Sequence, residues 1–185
     1  MIKSLDLNFK GLVTVSGPTK SGKSKLAEYL IKDQFLVNYI ATSQPRQNDQ
    51  NWQKRIDVHK KRRPASWKIF ECPKDICDTI LSFSDDESIL IDSLGGLVEN
   101  LINTNDNDWN FFQNKFLDSL LNKTIPIVIV TEEVGWGIVP YTSIGNLFRE
   151  RLSSLSSLVS HHSKNNWLAI NGIAIDLKSF GSPIP

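Results

Sequence analysis

Eight consecutive residues, Gly17-Pro18-Thr19-Lys20-Ser21-Gly22-Lys23-Ser24, match the pattern G-x-x-x-x-G-K-[ST] in full. The glycines let successive backbone N–H groups curl around an anion, and the start of a helix adds partial positive charge. In such a loop the lysine, here Lys23, reaches the β- and γ-phosphates of a nucleotide, while the hydroxyl of Ser24 ligates Mg²⁺. The loop works with a carboxylate at the end of a neighbouring apolar strand, and Ile89-Leu90-Ile91-Asp92 supplies one at Asp92, a second metal-ligating candidate. The plain alternative for Asp92 is a strand-end or N-cap aspartate ahead of Leu94.

A second chemical cluster is Arg55-Ile56-Asp57-Val58-His59-Lys60-Lys61-Arg62-Arg63-Pro64, one histidine amid five cations and one carboxylate. A solvated basic face is the usual explanation for such a run. Beside nucleotide phosphates, however, a neutral imidazole flanked by Arg and Lys has the composition that nucleotidyl transfer through a covalent phosphoramidate uses. His161 and His162 fall late in a polar helix end and read as solvated residues or helix C-terminal cations.

The elements that must position these groups alternate along the chain. Leu12 to Val15 is a short β-branched run ahead of the loop, and Leu26, Ala27, Leu30 and Ile31 then recur at helical spacing. Phe35 to Ala41 reads as a second strand, Ser43 to Asn51 as a loop, Lys54 to Lys61 as a helix stopped by Pro64, and Trp67 to Glu71 as a third strand. Ile89 to Asp92 and Ile125 to Thr131 lack polar alternation, as central strands of a parallel sheet covered on both faces do. Between them the apolar spacing predicts two amphipathic helices around the turn Asn103 to Asp108. Ile144 to Val159 reads as a further helix, and Trp167 to Ile170 with Ile173 to Leu177 as two strands broken at Asn171-Gly172.

With 185 residues the chain is expected to form one domain, residues 1–185, in which 1–10 is an N-terminal extension. Lys and Arg number 21 and Asp and Glu 20, so a net charge of +1 provides no global field for nucleic acid or an anionic membrane. Cys72 and Cys77 have neither zinc-site spacing nor the count of a disulfide framework and are expected to be reduced thiols. No apolar run approaches the roughly 20 residues of a membrane helix, and the expected location is the cytoplasm.

From about Leu12 to Lys178 the chain resembles the bifunctional adenosylcobinamide kinase / adenosylcobinamide-phosphate guanylyltransferase family of cobalamin nucleotide-loop assembly. The resemblance is carried by the loop SGPTKSGKS, Tyr39-Ile40-Ala41-Thr42-Ser43, Arg55-Ile56 with His59 and Arg62-Arg63-Pro64, Trp67, Glu71, Asp92-Ser93-Leu94 and Asn100-Leu101. It continues through Glu133-Val134-Gly135-Trp136-Gly137-Ile138-Val139-Pro140, a run that P-loop proteins in general lack, and then Phe148-Arg149 and Gly172.

The resemblance implies a RecA-like P-loop NTPase domain, α/β, with a mostly parallel central sheet flanked by helices, assembled as a homotrimer. It implies that His59 takes GMP from GTP, that Lys60, Lys61, Arg62, Arg63 and Glu71 hold the guanine nucleotide, and that Ala41, Thr42 and Ser43 form a second nucleotide-contacting strand end. Asp92 matches the acidic strand-end position. The implied reactions are phosphorylation of adenosylcobinamide by ATP or GTP with Mg²⁺, then transfer of GMP to adenosylcobinamide phosphate. The chain departs from the family at Lys20, usually Arg, at Asn51, usually acidic, and along Ile144 to Ser157, where one family arginine is missing near Asn146 and Ser156-Ser157 replaces Asn-Gln. Two other readings share the loop: a small-molecule P-loop kinase in which His59 is dispensable, and a RecA-like binding module in which Arg55 to Arg63 grips a polynucleotide.

Overall fold

Every second residue of the central strands belongs to a different layer. Ile89, Ile91, Ile127 and Ile129 are buried in one apolar cluster, whereas Leu90, Val128 and Val130 are buried in another. A strand turns successive side chains to opposite faces, so this double burial requires a sheet with cover on both sides. The computed structural model describes residues 9–45 and 49–184, and only the backbone of Asn51, Trp52 and Arg55. Most of the expected N-terminal extension lies outside the described residues.

In chain order the elements are β1 (Gly11–Gly17), α1 (Lys23–Ile31), β2 (Val37–Ala41), α2 (Gln50–Arg62), β3 (Lys68–Glu71), α3 (Ile76–Ser82) and β4 (Ser88–Asp92). They continue with α4 (Leu94–Asn100), α5 (Asp106–Leu121), β5 (Pro126–Glu132), α6 (Ser143–His162), β6 (Asn165–Ile170), β7 (Ile173–Asp176) and α7 (Leu177–Phe180). The sheet order is β3-β2-β4-β5-β1-β6-β7, parallel throughout except for the β6–β7 hairpin. The mostly parallel α/β architecture expected from the sequence is thus present, with β4 and β5 central. The strand that leads into the phosphate loop is separated from the strand ending in Asp92 by one strand, β5.

Helix α1 covers one face through Ala27, Leu30 and Ile31, while α3 to α6 cover the other through residues such as Ile80, Val98, Phe116 and Leu155. Each fully buried Val, Leu, Ile or Phe side chain among these contributes about 1.5–3 kcal/mol. Side-chain caps set the starts of four described helices: Asp75, Asn105, Thr142 and Asp176 accept hydrogen bonds from the backbone N–H of Asp78, Asp108, Gly145 and Lys178. Arg151 is buried on α6 and donates to the carbonyls of Leu101, Ile102 and Thr104, tying that helix to the α4–α5 turn. Two helices, α3 and α7, had no counterpart in the sequence reading, and α2 starts at Gln50, inside the stretch expected to be loop.

Candidate active site

The loop Gly17–Ser24 runs from the last residue of β1 into the first turn of α1. Gly17 has φ +154°, and a Cβ there would lie 2.3 Å from the carbonyl oxygen of Ala169, so no side chain fits where the loop leaves the sheet. Gly22, with φ +99°, is the N-cap of α1 and adopts the left-handed conformation open to glycine at little cost. The Lys23 ammonium folds back and donates to the carbonyl of Pro18 at 3.2 Å. Thr19 and Lys20 are exposed, Ser24 is half-buried, and the hydroxyl of Ser21 is buried with no hydrogen-bond partner among the described residues. An unpartnered hydroxyl inside such a cradle fits an anion that the loop is shaped to receive.

The carboxyl ends of six adjacent parallel strands form one edge, where α/β sheets bind their ligands. Register sets Glu71 beside Ala41, Ala41 beside Asp92, and Gly17 beside Glu132. His59, in the last turn of α2, is brought to this edge: its Nδ1 is 3.7 Å from Oδ2 of Asp92 and 3.3 Å from Nη2 of Arg62. Arg62 also makes a two-pronged bond to Glu28 on α1, at 3.0 and 2.9 Å. That pair raises the guanidinium's pKa above its ordinary value and clamps the histidine helix to the helix opened by the phosphate loop.

Asp92 does not cap α4, whose N-cap is Ser93. Its Oδ2 instead accepts a hydrogen bond of 2.6 Å from the buried phenol of Tyr39. Burial pushes the Asp92 carboxyl up, but the His59 ring, the Tyr39 hydroxyl and the Arg63 charge outweigh it and hold the group below the ordinary carboxylate value. Tyr39 is raised well above the usual phenol range, by burial first and by the negative charge of Asp92 second, and so stays a donor. The Arg63 guanidinium lies 3.6 Å from the centre of the Tyr39 ring.

The remaining expected residues divide. Thr42 is fully buried and its hydroxyl bridges the carbonyl and N–H of Ser93, at 2.6 and 2.8 Å, so it acts as a brace between β2 and the turn after β4. Ala41 and Ser43 flank it half-buried. Lys60 and Glu71 pair with each other at 2.9 Å on an exposed surface, and Lys61 is exposed. Within the basic run, Lys60 pairs with Glu71, Arg62 with Glu28, and Arg63 lies over the Tyr39 ring. The side chain of Arg55 and that of Asn51 lie outside the described residues.

Three groups at this edge were missed. Tyr39 was read only as part of the apolar strand Phe35 to Ala41 and of the resemblance, with no role of its own, and Glu28 was given none. Glu132 ends β5, one residue beyond the strand read from the sequence, and an acid closing an apolar strand was the available signal. Its carboxylate accepts from the hydroxyl of Ser93 and, at 3.0 Å, from the N–H of Gly95. Burial pushes the Glu132 carboxyl up, the hydrogen bond from Ser93 opposes this, and the charges of Asp92 and Lys23 act on it in opposite directions. The donors Ser24 and Asp92 are hard oxygens, and the described residues hold no group of three or more His, Cys, Asp or Glu able to bind a metal alone. That combination suits Mg²⁺, which takes one or two protein ligands together with phosphate oxygens.

Beside this edge, the segment after β5 exposes Trp136, Ile138, Val139 and Tyr141. Next to it Ile102, Val134, Pro140, Ile144 and Phe148 line an open, mostly apolar hollow of about 500 Å³.

The family described as cobinamide kinase / cobinamide phosphate guanyltransferase matches residues 13–177. The chain is similar to the bifunctional adenosylcobalamin biosynthesis protein CobU of Salmonella typhimurium, with 32% identity over 183 residues that cover 90% of this chain and 99% of that protein. It is also similar to the bifunctional adenosylcobalamin biosynthesis protein CobP of Pseudomonas aeruginosa, at 29% identity over 92% of this chain and 98% of that one. Among solved structures, that of project PH0250 from Pyrococcus horikoshii OT3 superposes with a TM-score of 0.53 at 10% identity, covering 93% of this chain and 88% of the other, a likeness of fold alone.

Proposed function

Because the chain belongs to the cobinamide kinase / cobinamide phosphate guanyltransferase family, we propose that one edge of its sheet carries out two successive reactions on a corrinoid. In the first, the γ-phosphoryl group of ATP or GTP, cradled by Gly17 to Ser24 and met by Lys23, passes to the aminopropanol hydroxyl of adenosylcobinamide. In the second, His59 attacks the α-phosphorus of GTP and expels pyrophosphate, and the phosphate made in the first step then takes GMP from the imidazole to give adenosylcobinamide-GDP. Splitting the transfer through histidine replaces one hard displacement by two easier ones. Nδ1 of His59 faces Asp92 and Arg62, which leaves Nε2 as the attacking nitrogen. Lys60, Arg62 and Arg63 offset the charge on the phosphate oxygens, and Ala41, Ser43 and Glu71 border the nucleotide. Ser24 and Asp92 would hold Mg²⁺, which when bound offsets the charge of the β- and γ-phosphate oxygens.

The single observation that carries this reading is the clamp between Arg62 and Glu28. It ties the nucleophile's helix to the phosphate-loop helix, so that one bound nucleotide is within the domain of both groups. The exposed apolar run Trp136 to Tyr141 supports the further proposal that the chain works as a homotrimer. A cytoplasmic site of action is proposed because nucleoside triphosphates are supplied there, and no helix among the described residues is long and apolar enough to cross a membrane. The test is to incubate the purified protein with adenosylcobinamide, Mg²⁺ and GTP and to follow the corrinoids by mass. Sequential appearance of the phosphate and the GDP adduct is expected, and a reaction that stops at the phosphate would leave only the kinase.

A further inference from the structure

Kinase chemistry on an alcohol requires a place for the hydroxyl proton, and neither His59 nor Lys23 supplies it in the scheme above. Glu132 sits where that group is needed. Its strand lies between the strand of the phosphate loop and the strand of Asp92, and its backbone is in register with Gly17, the first residue of the loop. The next residue, Glu133, donates its N–H to the Gly17 carbonyl at 3.1 Å, which pins this strand end against the loop. Both carboxylate oxygens are oriented, Oε1 by the Ser93 hydroxyl and Oε2 by the Gly95 N–H at 3.0 Å. Each bond uses one lone pair, and each oxygen keeps another. A Cβ at residue 95 would come within 2.5 Å of Oε2, so glycine leaves the room in which the carboxylate lies. Asp92, on the neighbouring strand β4, has its Oδ2 engaged by Tyr39, and Glu71, on the outer strand β3, is paired with Lys60.

Resting on the two-step reading above, we infer that Glu132 is the proton acceptor of the phosphoryl-transfer step. The hydroxyl oxygen forms its bond to the γ-phosphorus, and the bond from that phosphorus to the β,γ-bridging oxygen breaks. The electron pair leaves with the nucleoside diphosphate, and the hydroxyl proton passes to the Glu132 carboxylate and from there to solvent. The competing role is purely architectural: a carboxylate that braces the turn between β4 and α4 through Ser93 and Gly95.

The two roles order the variants differently. A brace is served better by the isosteric Glu132→Gln than by the shorter Glu132→Asp, whereas a proton acceptor needs the carboxylate. Kinase turnover is measured with adenosylcobinamide and ATP, and α-labelled GTP in the same preparations reports the folded state of the histidine site. Glu132→Gln is expected to lower kinase kcat about 100-fold or more with a smaller change in KM, at least tenfold more than it lowers α-label incorporation. Glu132→Asp is expected to retain more kinase activity than Glu132→Gln. A glutamine variant within fivefold of wild-type kcat, or one that outperforms the aspartate variant, overturns the inference. Should the glutamine variant fail to fold, Glu132→Ala assayed with added formate carries the same test: recovered turnover supports the inference and no recovery overturns it. If the wild type fails to phosphorylate adenosylcobinamide, the functional reading falls and this inference with it.

Discussion

Tyr39→Phe isolates one hydrogen bond. The ring is buried at 1% exposure, stacks on Trp67 at 6.2 Å and carries Arg63 over its face at 3.6 Å, all of which phenylalanine reproduces. What disappears is the 2.6 Å donation to Oδ2 of Asp92. A hydrogen bond to a charged acceptor contributes about 1.5–3 kcal/mol, and here the acceptor left short of a partner is itself largely buried, so a loss of about 2 kcal/mol is expected. For a chain of this length each kcal/mol moves Tm by about 2–4 °C, which places the variant roughly 4–8 °C below wild type. The assay is thermal unfolding followed by circular dichroism at neutral pH, with Asp92→Asn and the double variant completing a cycle. The two single losses are expected to be sub-additive by about 1 kcal/mol, because each removes the same contact. A Tyr39→Phe variant within 1 °C of wild type, or strict additivity with Asp92→Asn, would refute the claim that Tyr39 anchors this carboxylate.

Lys23→Ala is expected to abolish kinase turnover while circular dichroism remains that of the wild type, since among the described residues the ammonium's hydrogen bond is to the Pro18 carbonyl of its own loop; wild-type phosphorylation would remove the loop from the mechanism. His59→Ala is expected to lose the protein-bound label from α-labelled GTP, and with it the GDP adduct, yet keep kinase turnover; in the wild type the label should be released by acid and survive alkali, as a phosphorus–nitrogen bond does, and γ-labelled GTP should leave none. Glu87, held below the usual carboxylate range first by Lys68 at 2.8 Å and next by the Ser84 N–H, contributes stability that is present above the unfolded pKa of about 4.3 and is lost as pH falls through the lower folded value. Glu87→Gln should therefore cost about 1 kcal/mol at pH 7 in urea unfolding and progressively less below about pH 4; a gap that persists unchanged at pH 3 would contradict the assignment.

What could be read from the residues was whatever is local. The loop motif, the alternation of apolar runs and helical spacings, and the position of Asp92 at a strand end are all contiguous patterns, and the strands and helices around them were found within a few residues. Contacts between distant segments left no such trace. Tyr39 reaches Asp92 across 53 positions and Arg62 reaches Glu28 across 34, so neither partner differs in sequence from an ordinary core tyrosine or a surface glutamate. Helix α3 was overlooked because seven residues give too short a period to recognise, although its Asp75 cap was present. Lys60 and Glu71 were both assigned to the nucleotide, and only the folded chain reveals that they pair with each other.

The place of β5 in the sheet also bears on how the protein is made. The strand leading into the phosphate loop emerges early from the ribosome, but its neighbours on either side are β5 and β6, and the partner of Gly17 is Glu132, 115 residues later. At about 5–20 residues per second of synthesis, the loop waits roughly 6–23 s for the strand that backs it. Nascent chains stalled before residue 126 should therefore carry the complete motif and still fail to hold a nucleotide, so that nucleotide retention on ribosome-bound chains reports when the second half of the sheet has closed around the first.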